Sequence, residues 1–482
     1  MKTNFKIKFT LLVVTLFLNV ISYGQFIKIY DFTGTPDAGY PSTAALVFDG
    51  TFLYGTTTTG SNGKGVIYKI KPDGTSYSTI YGFTGVLDGE SPKGALIFEG
   101  TYLYGMTSLG GANGLGVIFK IKPDGTGYTK LLDFNKVNGS APWGELVSDG
   151  TYLYGMTSCG GSGTVCQLSS SGCGIIFKIK LDGTGYTKLH DFGLSAGKGF
   201  YPQGSLIIIG SQLYGMTNLG GLNYGNPGIA GTIFKIQTDG TGFVNLLDFA
   251  GITNGSNPYG SLVTDGTYLY GVTSQGGSGV SSCSYGCGVI FKIKLDGTGY
   301  IKLFDFSATF GRNPEASLYY DGQYLYGTTT AGENGPGVVF KIKTDGTNYY
   351  KLHDFVGSLN GNTPSNTLIS DGTSLYGTAY QGGANSRGTI YKIGLATNVI
   401  ENDKYDEVNV YPNPNNGSFK IELENKSYSA TITNILGELI YQSNMFNDSH
   451  EIHLPNLTSG IYFVYIKTDK GVITKKIMIQ KT

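Results

Sequence analysis

The sequence predicts an all-β fold: a seven-bladed β-propeller of four-stranded blades, its N-terminal strand closing the last blade, followed by a small C-terminal β-sandwich. Three observations carry this reading. The Leu-Tyr-Gly centre of DGTYLYGMTS, residues 149–158, recurs at Leu53, Leu103, Leu153, Leu213, Leu269, Leu325 and Leu375, with spacings of 50, 50, 60, 56, 56 and 50 residues. Each unit holds four alternating or β-branched runs separated by turn signals. One run of the fourth kind, Ile27 to Phe32, precedes the first complete unit, and the seventh unit stops at Ile393 without one.

Taken in chain order, the first element is a basic start (Lys2, Lys6, Lys8), an apolar run from Phe9 to Ile21 and small residues Ser22 and Gly24. That is the pattern of a secretory signal peptide over residues 1–24, cleaved before Gln25. No Cys follows the apolar run, which argues against a lipid-anchored lipoprotein. No later segment approaches the roughly 18 apolar residues of a membrane span, so no transmembrane segment is expected after cleavage.

Each repeat then begins with a Pro and a Leu (Pro142 and Leu146, Pro258 and Leu262) and turns at Asp-Gly, read here as a type I′ hairpin. The Leu-Tyr-Gly strand follows. After a glycine loop comes a run such as Val117-Ile118-Phe119-Lys120-Ile121, then a second tight turn, Pro123-Asp124-Gly125-Thr126-Gly127. The last strand, Tyr128 to Phe134 in that unit, ends in Asp-Phe. A linear stack would leave both end strands unpaired, whereas a ring lets Ile27–Phe32 lie beside Thr389–Ile393; a solenoid is the alternative. In a four-strand meander the two tight turns share one face. The loop after the second strand and the crossover between units share the other. From the Gly of the second strand to the Gly opening the third the separation varies from 10 to 19 residues, so variation gathers on that face.

Composition agrees with a turn-dense β protein: Gly is 76 and Tyr 36 of 482 residues, and only 14% are charged. Net charge is zero and no basic stripe accompanies the aromatics, which argues against nucleic acid as a partner. Five cysteines lie in the glycine loops of two units. In an exported chain the spacing suggests local disulfides, Cys166 to Cys173 and Cys283 to Cys287, with Cys159 left over; free thiols and, against the irregular spacing and absent histidines, zinc are the alternatives.

One crossover column varies while its neighbours do not: Ser42, Lys93, Trp143, Gln203, Tyr259, Glu315 and Ser365 follow the repeated Pro. An unconstrained solvent position is the plain reading. The sharper one is a ring of specificity residues at the channel mouth, with Trp143, Tyr259, Tyr224, Gln203 and Lys93 as candidate ligand-binding side chains for a glycan or a protein. An aromatic, uncharged mouth would favour binding alone; converging carboxylates or a metal in the channel would favour a hydrolase or lyase acting on polysaccharide. Carboxylates from neighbouring crossovers, such as Glu145 and Glu315, are examples of groups that acid–base catalysis would use, and the sequence offers no reason to expect it.

No HExxH, GxSxG or phosphate loop occurs, and no cofactor is expected. His190 and His353 share a repeat position and read as exposed edge residues; His450 and His453 lie near the C-terminus. The repeated Asp of the Asp-Phe ends (Asp133, Asp191, Asp248, Asp305, Asp354) reads as strand-end capping, because calcium needs several oxygens converging on one point.

Past Gly394 a polar stretch, 399–407, reads as a linker, and residues 408–482 show short alternating runs of a small β-sandwich. Within it, Tyr411-Pro412-Asn413-Pro414, Gly417, Asn434-Ile435-Leu436-Gly437-Glu438, Gly460-Ile461-Tyr462 and Lys475-Lys476-Ile477-Met478-Ile479 resemble a type A sorting domain of the type IX secretion system. The resemblance implies export across the outer membrane of a Gram-negative bacterium, with that secretion machinery as a partner. Residues 25–393, through Leu-Tyr-Gly, Gly-Gly and Ile-Phe-Lys-Ile, resemble the GloVer tandem-repeat proteins, although Gly-Gly is missing at Gly60-Ser61 and Gly332-Glu333 and Asp-Gly becomes Ile209-Gly210. That family implies a fold and brings no established activity. Kelch repeats share the Gly-Gly flavour but not the paired Tyr and Trp.

Overall fold

The structure is a computed structural model that describes residues 25–482 apart from 35–37, 43–44, 61, 163–171, 194–198, 223–229, 279–282, 334, 396–407, 435–438, 444, 469–470 and 482. The expected signal peptide, the linker, Tyr224, Cys166 and Gly437 lie outside the described residues. The chain divides into two compact units, Met1–Leu395 and Ala396–Thr482.

All described regular structure is β. The third repeat shows how one unit is built. Strands Val147–Ser148, Tyr152–Thr157, Ile175–Lys180 and Thr187–Asp191 pair antiparallel in sequence order. The second strand is buried along Leu153–Thr157 on both faces, which is why its sequence is nearly continuous in small and apolar residues rather than alternating. Gly155 sits opposite Phe177, and a Cβ there would lie 2.6 Å from that ring. The Gly of Leu-Tyr-Gly is therefore the seat of the next strand's aromatic side chain.

The first hairpin differs from the expected type I′ turn. Asp149 and Tyr152 close the loop through Asp149 N–H to the Tyr152 carbonyl at 3.2 Å, so Gly150 and Thr151 are its central residues. Only Gly150 has positive φ, +85°, the pattern of a type II′ turn with Gly first. Asp149 stands before the turn and holds it. Its Oδ1 accepts the Thr151 and Tyr152 amides at 2.9 and 2.7 Å, and its Oδ2 accepts the Tyr154 hydroxyl at 2.8 Å.

The Asp of the Asp-Phe end has a more specific task than capping its own strand. Asp133 accepts the Ala112 amide at 2.8 Å, Asp191 that of Ser162 at 3.0 Å and Asp305 that of Ser278 at 3.0 Å. Each clamps the glycine loop of its unit onto the outer strand.

Six more sheets repeat this plan, and their succession is cyclic. Tyr54 and Ile67 of the first unit share an apolar cluster with Leu103 and Phe119 of the second, and corresponding clusters join each sheet to the next. The series returns to its start, because Tyr376 and Ile390 of the seventh unit pack with Leu53, Val66 and Tyr68 of the first. Phe26–Asp31 pairs with Thr389–Gly394, Phe26 opposite Ile393 and Asp31 opposite Thr389. A linear stack has no such pairing.

The two histidines of the outer strands are not exposed edge residues. Aromatic rings at this position stack across the sheet-to-sheet gap, as Tyr81 on Tyr128 and Phe304 on Tyr349 show. His190 lies on Phe243 and His353 on Phe26 in the same manner. Histidine takes an interior stacking place there because its ring is flat and of similar area.

Cys283 and Cys287 form the expected disulfide. Cys173 is disulfide-bonded as well, its expected partner Cys166 being outside the described residues, and Cys159 is half-buried.

In the C-terminal unit one long strand, Ser418–Asn434, takes the place of separate short runs. Its first part pairs with Asn409–Tyr411 and Phe446–His453, its second with Leu439–Gln442 and Gly460–Thr468. Gly471–Ile479 adds the edge. Phe419, Ile421, Ile432, Val464, Ile466 and Ile477 form its core. The Asn413 side chain accepts the Met478 amide at 2.8 Å, and Asn415 bridges Met478 and Gln480 through its backbone. The Tyr-Pro-Asn-Pro run is thus tied to the last strand.

Candidate functional site: an axial cavity

The crossover segments that open each unit are held at both ends. Pro142 and Leu146 are buried, and the intervening residues are left facing the axis of the cycle. The crossovers also bridge to the loop after the second strand, Ser140 to Cys159 and Ser256 to Gln275, so both kinds of variable segment lie at the same edge of their sheets.

The glycines of these segments let neighbouring backbones touch. A Cβ on Gly94 would lie 2.1 Å from the Gly144 carbonyl oxygen, and one on Gly144 2.3 Å from that of Gly204. The next residue in each segment forms a ladder between units. Glu145 N–H donates to Ser205 Oγ at 2.8 Å, Ser205 N–H to Ser261 Oγ at 2.7 Å, Ser261 N–H to Ser317 Oγ at 2.7 Å and Ser317 N–H to Thr367 Oγ1 at 3.2 Å. Ala45 and Ala95 stand in the same column and have no hydroxyl to extend it. Sequence reasoning missed this ladder. Its signal was the column just before the repeated Leu, Ser or Thr in the last four units and Ala45, Ala95 and Glu145 in the first three.

An axial cavity of about 130 Å³ lies within this ring. Of the variable column, Lys93, Trp143, Gln203, Tyr259, Glu315 and Ser365 line it, and Glu145 joins them. Ser42 is buried and bonds to Thr56 Oγ1 at 2.7 Å. The ring predicted from one varying column is therefore assembled in space except for that residue.

The mouth is aromatic but not uncharged. Lys93 Nζ stands over the Trp143 ring, 3.7 Å from its centroid, a cation–π contact between adjacent units. Removal from water holds the Lys93 ammonium below its ordinary range. Desolvation pushes Glu315 up to about 7. Desolvation does the same to Glu145, to about 7, against a hydrogen bond from Ser205 that lowers it. The Tyr259 phenol is raised by desolvation and by the nearby Glu315 charge. Gln203 is 8% exposed, and its Oε1 has no hydrogen-bond partner among the described residues. The cavity therefore holds two carboxylates that share protons with solvent near neutrality, one desolvated cation and one buried acceptor.

The family profile of the Gloeobacter/Verrucomicrobia repeat matches residues 14–172, 163–285 and 279–419. That of the secretion system C-terminal sorting domain matches residues 409–480. No curated protein matches the chain. Among solved structures, an oligogalacturonate lyase in complex with manganese is similar at 13% identity and a TM-score of 0.50, over 78% of this chain and 95% of that one. PorZ of Porphyromonas gingivalis, a surface component of the type IX secretion system, is 14% identical with a TM-score of 0.44, over 90% of this chain and 59% of its own. The extracellular domain of a one-component system from B. thetaiotaomicron is 14% identical with a TM-score of 0.46, over 95% and 58%. At this identity the likeness to the lyase bears on the fold alone.

Proposed function

The chain belongs to the Gloeobacter/Verrucomicrobia repeat family and ends in a type IX sorting domain that directs it to the outer cell surface, and from this we propose that it is a non-catalytic binding protein for an extracellular glycan. In this reading residues 1–24 are a signal peptide and 25–398 a seven-bladed β-propeller. Residues 399–407 are a linker and 408–482 a sorting domain folded as a small β-sandwich. The cyclic succession of apolar clusters and the pairing of Phe26–Asp31 with Thr389–Gly394 support the propeller.

The observation that carries the binding reading is the gathering of Trp143, Tyr259 and Gln203 around one axial cavity on the edge where the variable loops lie. Aromatic faces beside hydrogen-bonding groups suit a sugar, whose C–H faces stack and whose hydroxyls need partners. The cavity is small beside the roughly 300–1,000 Å³ of a typical ligand site, so a substituent enters it and the sugar ring rests at the mouth. The test is a glycan array and polysaccharide pull-down with the full chain and with Trp143→Ala and Tyr259→Ala. Both variants should lose binding; binding unaltered in both removes this site.

A second reading, a polysaccharide hydrolase or lyase, draws on Glu145 and Glu315 lining the same cavity with pKa values near 7, suited to general acid–base chemistry. It predicts depolymerisation of a bound polysaccharide, followed by reducing-end or unsaturated-product assay, and its loss in Glu315→Gln. Binding without depolymerisation leaves the first reading standing.

A further inference from the structure

We propose that the axial cavity recognises the ammonium group of an amino sugar, with Glu145 and Glu315 in its wall as the carboxylate acceptors, the Gln203 carbonyl as a further acceptor and the sugar ring at Trp143 and Tyr259. This rests on the glycan reading above and specifies its chemistry.

The argument begins with charge. Four titratable groups line the cavity: Lys93, Glu145, Tyr259 and Glu315. With both carboxylates ionised the cavity carries two negative charges against one positive, and Tyr259 stays neutral. Among the described residues neither glutamate forms an ion pair with Lys93, which lies instead on the Trp143 ring. The wall carries one more negative charge than positive, and in the protein alone burial raises both carboxylates.

Hydrogen bonding points the same way. Gln203 is nine-tenths buried in the cavity wall and its Oε1 lacks a donor among the described residues. A buried acceptor without a donor is costly. An ammonium group brings three donors and no acceptor, which matches two carboxylates and a carbonyl. An anionic or acceptor-rich group would meet the same oxygens with repulsion.

A cavity of about 130 Å³ has ample room for the amino substituent. The Trp143 face already carries the Lys93 ammonium, which shows that this ring accepts a cation and that Lys93 competes with one. A divalent metal is a poorer fit, because calcium seeks six to eight oxygens.

The test is calorimetric titration of the full chain with oligomers of glucosamine and with their fully N-acetylated counterparts. The unacetylated oligomer should bind more tightly, on the order of tenfold, because acetylation removes the charge that the carboxylates complement. At pH 6, where the amines of the oligomer still carry their protons, binding should release protons from Glu145 and Glu315, visible as a buffer-dependent enthalpy. Glu315→Gln and Glu145→Gln should weaken binding and Lys93→Met should strengthen it. Equal binding of the two oligomers with loss in Trp143→Ala overturns the ammonium site and leaves the glycan reading intact. Absence of any glycan ligand on the array overturns both. Tighter binding of oligolysine than of the glucosamine oligomer, or saturation of the cavity by calcium or manganese, also overturns the proposal. The comparison of the two oligomers on the unaltered protein decides even where a variant does not fold.

Discussion

Phe26 lies flat on the imidazole of His353, ring centroids 3.6 Å apart and 9° from parallel. One residue opens the N-terminal strand and the other belongs to the outer strand of the sixth unit, so this stack spans the place where the cycle closes. Phe26 also meets the edge of Phe355, centroids 5.8 Å apart, and stacks on Tyr391 at 5.4 Å. Phe26→Ala should therefore destabilise the repeat unit by about 2 kcal/mol, from lost burial and lost stacking. Equilibrium unfolding checks this, and hydrogen exchange should show the loss first along Thr389–Gly394, the strand that Phe26–Asp31 covers.

The same stack makes closure sensitive to acid. Burial holds the His353 imidazole down to about 4, partly offset by the Asp354 charge. The Asn360 amide donates to Nε2 at 2.7 Å, a bond that protonation of Nε2 destroys. In the unfolded chain this histidine gains its proton as pH falls through 6.5; in the folded protein it does so only near 4. The unfolded state binds more protons in that window, so the contribution is complete above pH 6.5 and drains away toward pH 4. Thermal midpoints measured from pH 7 to 4 should fall, and His353→Phe should flatten that part of the curve.

Much of this was legible beforehand, because a repeat multiplies every local signal sevenfold. The Leu-Tyr-Gly spacing, the orphan strand at Ile27–Phe32 and the vacancy after Ile393 were enough to place the two ends side by side. What escaped were relationships across units. Lys93 and Trp143 are 50 residues apart and meet only because adjacent crossovers touch at Gly94 and Gly144. The hydroxyl ladder from Ser205 to Thr367 has the same origin. His190 and His353 looked exposed because the position was judged within one sheet, whereas the next sheet supplies the stacking ring. The turn was misread because Asp-Gly does not reveal whether Asp lies inside the loop or just before it.

That turn gives a third prediction. Asp265 repeats the Asp149 arrangement, accepting the Thr267 and Tyr268 amides at 2.8 and 2.7 Å and the Tyr270 hydroxyl at 2.8 Å. In the second and fourth units Glu99 and Ile209 occupy the position, and the tyrosines turn elsewhere, Tyr104 to the Leu181 carbonyl and Tyr214 to Gln212. Asp265→Ala should cost about 1–2 kcal/mol, since three donors lose one acceptor group. Glu99→Ala should stay within about 0.5 kcal/mol, as a surface change without such a role does. Denaturant midpoints of the two variants distinguish them.

The last prediction concerns the glycine at the centre of the repeat. Gly155 has no left-handed backbone to excuse it, so its reason is space alone: a Cβ would meet Phe177 Cζ at 2.6 Å and Leu146 Cδ2 at 3.0 Å. Phe177 is fully buried and sits in the cluster joining the second and third units, so it has nowhere to retreat. Gly155→Ala should destabilise by about 1–3 kcal/mol through overpacking. Shortening the opposing ring should relieve it: adding Phe177→Leu to Gly155→Ala should cost less than the sum of the two single changes, because each removes the reason for the other. A double-mutant cycle measures that coupling, and strict additivity would show that the missing Cβ is not what Phe177 requires.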